Sequence, residues 1–273
     1  MRQILAVLTH MTPSRSLAGG IFAASLTLFA IGLGPQAASA QSVAEAGRAP
    51  VPTPQFADEP LIVVELFTSQ GCSSCPPADQ MMGELATHDG VLPLSLHVDY
   101  WDYIGWRDAF AQPEFTRRQK AYAHAAGKRT IYTPQMVVQG IDHLVGAKPM
   151  LLADLILRHR ENAGAPVSLS LRREGEALSI EAIPTGVLPS AMRLLVVRYD
   201  PHERVEIDRG ENAGRVIDYT NIVTELRPVG DWNGVAPLVV SDVSLPGPAH
   251  TAVILQTVTP RGPGAILAAQ RAD

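Results

Sequence analysis

A short apolar run, Leu61-Ile62-Val63-Val64-Glu65-Leu66-Phe67, leads through Thr68-Ser69-Gln70-Gly71 into Cys72-Ser73-Ser74-Cys75-Pro76-Pro77. No other segment constrains the chain as tightly. The run is nearly continuous and rich in β-branched residues, as expected for a strand covered on both faces. After the cysteines, Ala78, Met82, Leu85 and Ala86 recur at helical spacing, with Pro at the start and Gly90 beyond the end. The segment therefore reads as a strand, a loop and a helix that carries a CxxC pair on its opening turn. These are the only two Cys in 273 residues. They can form one disulfide at most, so a disulfide-stapled scaffold is excluded and the fold rests on an ordinary hydrophobic core.

The first 40 residues differ from the rest. Arg2 and Arg15 are their only charges, the stretch from Leu17 to Leu33 is almost wholly apolar and small, and Ala38-Ser39-Ala40 precedes Gln41. This is the pattern of a signal peptide cleaved after Ala40, which predicts a periplasmic or secreted protein. An uncleaved anchor is the competing reading, since the apolar run approaches the length that spans a bilayer. Residues 41–60 hold Pro50, Pro52, Pro54 and Pro60 among small polar residues and read as an extended linker. No second apolar run of membrane length follows, so the cleaved chain is expected to leave the membrane. The 22 basic residues of the whole sequence, only three of them Lys, are scattered among 27 acidic ones. Without a basic stripe, a nucleic-acid groove is not expected.

Beyond the CxxC helix, Val91 to Val98 reads as a second strand, and Phe115, Gln119, Tyr122 and Ala126 mark one face of a helix ended by Gly127. Met136-Val137-Val138 and His143-Leu144-Val145 read as a hairpin about Gly140. Leu151, Leu152, Leu155 and Ile156 place a last amphipathic helix before Gly164. The order is β-α-β-α-β-β-α over residues 61–164. Beyond Pro166 the helical period disappears, and short apolar runs at 167–171, 178–182, 194–197, 216–223, 238–240 and 252–255 alternate with Gly, Pro, Asn and Asp turns. Residues 165–273 accordingly read as an all-β, sandwich-like domain.

A Cys at a helix N-terminus meets the positive end of the helix dipole, which favours thiolate over thiol. Thiolate is the attacking species in disulfide exchange, so Cys72 reads as a nucleophile and Cys75 as the thiol that resolves the mixed disulfide. A purely structural bond between residues three apart would constrain the unfolded chain little. The spacing also suits two ligands of zinc or copper, with His97 or His143 as a third. A second CxxC, which a four-Cys zinc knuckle needs, is absent.

This element order, with Thr133-Pro134 leading into the hairpin, resembles thioredoxin. The resemblance implies a thioredoxin-like α/β domain, a cis peptide bond before Pro134 lying against the disulfide, and backbone at Thr133 and Pro134 that pairs with a substrate strand. It also implies that Glu65 is the buried acid that takes the proton of the resolving thiol; a carboxylate that faces a water pocket or pairs with an Arg is the alternative. Gly71 stands where thioredoxin has Trp, and Ser73-Ser74 where it has Gly-Pro. More closely, residues 65–79, 97–102, 132–136 and 210–215 resemble the secreted thioredoxin-like proteins grouped as domain of unknown function 1223.

Eight of the 15 aromatic residues fall between Tyr100 and Tyr132. Trp101, Tyr103 and Trp106, with Asp99, Asp102 and Asp108, read as a lid or peptide-binding rim beside the disulfide, the alternative being that the Trp rings fill the core of an inserted helix. His97 and Asp99 read as strand-end hydrogen-bonding groups, and Glu211, Asn212 and Arg215 as the makers of a turn. The expected activity is extracytoplasmic thiol–disulfide exchange on protein or small-molecule thiols, with a redox partner protein and no cofactor. The alternative is a metallochaperone-like module that holds copper or zinc on Cys72, Cys75 and His97. A third reading is a docking protein whose pair stays oxidised.

Overall fold

Ile62–Thr68 forms strand β1, and each of its seven residues is buried, which a β-branched run with no polar face requires. The computed structural model describes residues 60–164 and 167–272. The expected signal peptide, its cleavage after Ala40 and the linker before residue 60 lie outside the described residues. β1 is followed by α1 (Pro76–Leu85), β2 (Val91–His97), a short 3-10 turn (Asp102–Ile104), α2 (Pro113–Ala125), β3 (Gln135–Val138), β4 (Asp142–Val145) and α3 (Pro149–Glu161). All three α-helices open on Pro at their first or second position, where the missing N–H breaks no helical bond. β1 pairs in parallel with β2 and antiparallel with β3, and β3 pairs with β4.

Seven strands follow: β5 (Val167–Glu174), β6 (Ala177–Pro184), β7 (Met192–Ile207), β8 (Arg215–Trp232), β9 (Leu238–Ser244), β10 (His250–Thr259) and β11 (Gly262–Arg271). Here the expected architecture is corrected. A thioredoxin-like α/β domain followed by a separate β-sandwich is not what the chain forms. One mixed eight-stranded sheet runs through both halves in the order β11-β10-β7-β8-β2-β1-β3-β4, and a three-stranded sheet β5-β6-β9 lies apart from it. The described residues are mostly strand, and they belong to a single unit, Pro54–Asp273.

The seam between the halves is a parallel pairing of β2 with β8 at Ser95 and Ile222. Side chains reinforce it. Ser95 Oγ donates to Thr220 O at 2.8 Å, and Asn221 Nδ2 donates to Pro93 O at 2.8 Å. The sheet curls until the β3–β4 turn meets β11, whose Ile266 N–H donates to Gln139 O at 2.9 Å.

Alternation along β1 divides the core. Val63 and Phe67 face α2 in a cluster with Leu94, Phe115, Leu195, Val197, Tyr199 and Ile254, so residues from both halves share one core. Ile62, Val64 and Leu66 face α1 and α3. A third cluster packs the small sheet on the large one through Leu178, Ile180, Leu194 and Val253. Among the described residues no helix is long and apolar enough to cross a membrane.

Candidate functional site

Cys75 caps the N-terminus of α1 with helical backbone angles, φ −79° and ψ −36°. Its carbonyl accepts the N–H groups of Ala78 at 2.8 Å and Asp79 at 3.1 Å, while its own N–H donates to Cys72 O at 3.1 Å. This turn sets Cys72 against the end of the helix, and the two sulfurs are joined as a disulfide with their Cα atoms 5.4 Å apart. Pro76 and Pro77 have no N–H, so the helix end faces the pair with its dipole and fewer free amides than an ordinary N-terminus. Ser74 Oγ lies 3.4 Å from Cys72 Sγ. A disulfide sulfur carries no hydrogen, so the hydroxyl is the donor, and the same bond would favour thiolate at Cys72 after reduction. Both cysteines are fully buried, although Ser73 and Ser74 between them are exposed.

Strand parity decides which acid shares the space around α1. Successive side chains of β1 point to opposite faces, so Thr68 falls on the α1 face and Glu65 on the α2 face. Glu65 is held there by Arg118, whose Nε and Nη2 donate to its two oxygens at 2.6 and 3.0 Å, and by Tyr122 OH at 2.5 Å. Gln256 joins this network through Arg118 and Tyr122. Of the two readings of Glu65, the geometry is that of pairing with an Arg. On the α1 face the buried acid is Asp79, one helical turn after Cys75, which accepts the Thr68 hydroxyl at 2.7 Å. Burial raises its pKa to about 7, with the charge of His97 and the Thr68 bond opposing the rise.

Thr68 and His97 stand side by side in the β1–β2 ladder, which brings the imidazole toward Asp79. His97 is fully buried and its Nδ1 lies 2.7 Å from Asp108 Oδ2. Burial alone would raise the pKa of Asp108, but the charge of His97, the His97 bond and the N–H groups of Gln70 and Phe110 outweigh it and lower the value. Asp108 is therefore a carboxylate, and His97 Nδ1 donates to it. Tyr219 of β8 sets its ring edge-on to His97 at 4.9 Å between centroids. Gln70 Nε2, Asp79 Oδ2, His97 Nε2 and Tyr219 OH are buried without a hydrogen-bond partner among the described residues. They belong to one buried polar cluster beside the CxxC helix, with groups able to hold a proton.

The aromatic stretch closes over the same turn. Trp101 Nε1 donates to Thr133 Oγ1 at 2.7 Å, and Trp106 Nε1 donates to Gln70 Oε1 at 2.8 Å. A Cβ on Gly71 would stand 3.0 Å from Ile104 Cδ1 and 3.2 Å from Trp101 Cβ, so the backbone before Cys72 is pressed against this loop. Trp101 and Trp106 are half-buried; Tyr103 is 83% exposed. The Thr133–Pro134 peptide bond is cis, and Trp101 ties it to the Cys72 loop.

Thus Cys72, Cys75, Thr133, Pro134, Trp101 and Trp106 belong to one neighbourhood, Tyr103 stands at its solvent edge, and Glu65 lies across the sheet. His97 pairs with Asp108 rather than with the cysteines, and among the described residues no three His, Cys, Asp or Glu side chains converge as a metal ion requires. Sequence reasoning missed Gln70, Asp79 and Tyr219 as parts of the site, read Asp108 only as a member of the aromatic rim, and read Asn212 only as the maker of a turn. Asp79 carried a usable signal, since a fourth residue after Cys75 shares its face of the helix. Tyr219 carried none, and for Asn212 the 210–215 motif marked a turn but not its approach to the cysteines, which depends on β8 joining β2.

The family model described as protein of unknown function, DUF1223, matches residues 63–256. A crystal structure of a protein from Agrobacterium tumefaciens is similar at 34% identity, covering 77% of this chain and 92% of that one, with a TM-score of 0.65. No curated protein matches. On the family match across most of its length, the chain belongs to the DUF1223 family.

Proposed function

We propose that the protein is an extracytoplasmic thiol–disulfide oxidoreductase that works through Cys72 and Cys75. The observation that carries this reading is the placement of its only cysteine pair, oxidised, at the start of α1 with a buried acid of pKa about 7 one turn away. A substrate thiolate attacks Cys72 Sγ, the bond to Cys75 breaks, and Cys75 leaves as a thiolate that takes a proton from Asp79. A second substrate thiolate then attacks the substrate sulfur of the mixed disulfide and releases Cys72. The substrate loses two electrons and the cysteine pair gains them. In the opposite direction Cys72 attacks a substrate disulfide, and Asp79 accepts the proton as Cys75 resolves the intermediate. Asp79 takes this role rather than Glu65 because it shares the face of α1. Thr133 and Pro134 align the partner chain, and Trp101, Tyr103 and Trp106 supply its contact rim.

Cys72→Ser abolishes exchange with a dithiol probe, and Cys75→Ser accumulates mixed disulfides through Cys72 that a reductant releases. If the purified protein neither oxidises nor reduces the probe and neither variant traps a partner, this reading fails. A second reading, a pair that stays oxidised and serves to shape the loop, is favoured by the complete burial of both cysteines. The reduction potential separates the two: a bond that resists the glutathione pool, below about −300 mV, belongs to the second.

A further inference from the structure

The turn between β7 and β8, residues 208–214, lies over the CxxC loop and is exposed except at one position. Asn212 is 1% exposed. Its Nδ2 donates to Gln70 O at 2.9 Å and to Cys72 O at 3.0 Å, while Ser73 Oγ donates to Glu211 Oε2 at 2.6 Å. Of its own side chains only Asn212 is buried, and Gly210 backs onto the aromatic loop, where a Cβ would stand 3.3 Å from Trp106 Cβ and 3.6 Å from Ile104 Cδ1. That loop is held more firmly, since Trp101 and Trp106 are half-buried and both ring N–H groups are bonded. The closed position also leaves Asn212 Oδ1 buried with no hydrogen-bond partner among the described residues, which offsets the two bonds its amide makes. Gly210 and Gly214, at φ +81° and +77°, flank the pin with backbone that glycine adopts without strain.

We propose that this turn is a gate over the Cys72–Cys75 disulfide, latched by Asn212, and that it must lift before a thiolate reaches Cys72. Lifting frees Gln70 O and Cys72 O together with the sulfur, so access and the loss of the latch are one event. The inference deepens the exchange reading and takes its biological use from it, but the gate itself is a property of access to the bond.

The test follows the reduction of the folded protein by excess dithiothreitol, read by alkylation and mass spectrometry. Dithiothreitol gives two electrons and two protons to the cysteine pair and closes to its cyclic disulfide. Asn212→Asp, which sets a carboxylate against both carbonyls, and Asn212→Ala are expected to raise the rate at least tenfold. Arg209→Ala, in the same turn but outside the latch, is expected to stay within twofold of the wild type. Folded Asn212 variants that stay within twofold would overturn the gate. A measurement on the wild type needs no variant: amide exchange at Gly214 and Arg215, whose N–H groups donate to Ile207 O and Asn212 O. With a gate they exchange by local opening, well above the global unfolding rate. If they exchange only on global unfolding while the disulfide is reduced faster than that, the gate is wrong. Because the reductant is synthetic, this result is independent of whether Cys75→Ser traps a natural partner.

Discussion

Asp79 makes a demand on the fold that can be read by pH. An unfolded Asp titrates near 3.8, and in the native chain burial moves Asp79 to about 7. Between those values the native state binds more protons than the unfolded one, so stability falls as pH rises through that window and the full penalty is present above pH 7. At about 1.4 kcal/mol for each pKa unit, Asp79→Asn is expected to stabilise the protein by as much as about 4 kcal/mol at pH 8. The two proteins should converge near pH 4, as measured by urea unfolding. Under the exchange reading the same variant loses about 100-fold in the rate of resolution of a mixed disulfide near pH 7. A gain in stability with a loss of rate is the signature of a group kept for chemistry. Glu65 should behave in the opposite way. Glu65→Gln leaves Arg118 buried beside a neutral amide, which should cost about 3–5 kcal/mol in unfolding measurements.

Among the elements, those built on local periodicity were legible. Phe115, Gln119 and Tyr122 announced α2, and Leu152, Leu155 and Ile156 announced α3, because one buried stripe on a helix is written in consecutive residues. The long strands were not. β7 and β8 run for 16 and 18 residues, yet only 194–197 and 216–223 read as strands, since the stretch between carries exposed charges such as Glu203 and Arg204. β11, rich in Ala and Gly, gave no alternation to read. The β3–β4 turn shows how tightly such distant elements meet. Gly140 has φ +74°, and a Cβ there would stand 2.3 Å from Gly264 O of β11. Gly140→Ala therefore meets both left-handed backbone strain and a backbone collision, and is expected to cost at least about 2 kcal/mol. Thermal and urea unfolding check this.

At the scale of the whole molecule, the change of period beyond Pro166 suggested a separate β-sandwich, whereas β7, β8, β10 and β11 return to the sheet that holds β1–β4 and only β5, β6 and β9 form a sheet of their own. Periodicity tells that a residue lies in a strand but not which edge that strand will join. The pairing of β8 with β2 is specified by Ser95, Asn221 and the shared apolar face, residues separated by more than a hundred positions. The candidate site inherits the same limit: the CxxC helix and the Thr133–Pro134 loop were visible locally, but Tyr219 beside His97 and the Asn212 turn reach them only because β7 and β8 return. A test follows from the shared core. A chain cut after residue 164 loses Leu195, Val197, Tyr199, Val223, Ile254 and Ile266 from the cluster around Phe67 and Leu94. At about 1.5–3 kcal/mol for each buried side chain, the loss is on the order of 10 kcal/mol, comparable to the whole net stability of a domain. It also bares the edge of β2. Residues 60–164 alone are therefore expected to lack cooperative unfolding and dispersed amide resonances, whereas residues 60–273 show both. A cooperatively folded 60–164 fragment would show that the first seven elements form a domain without the rest of the sheet.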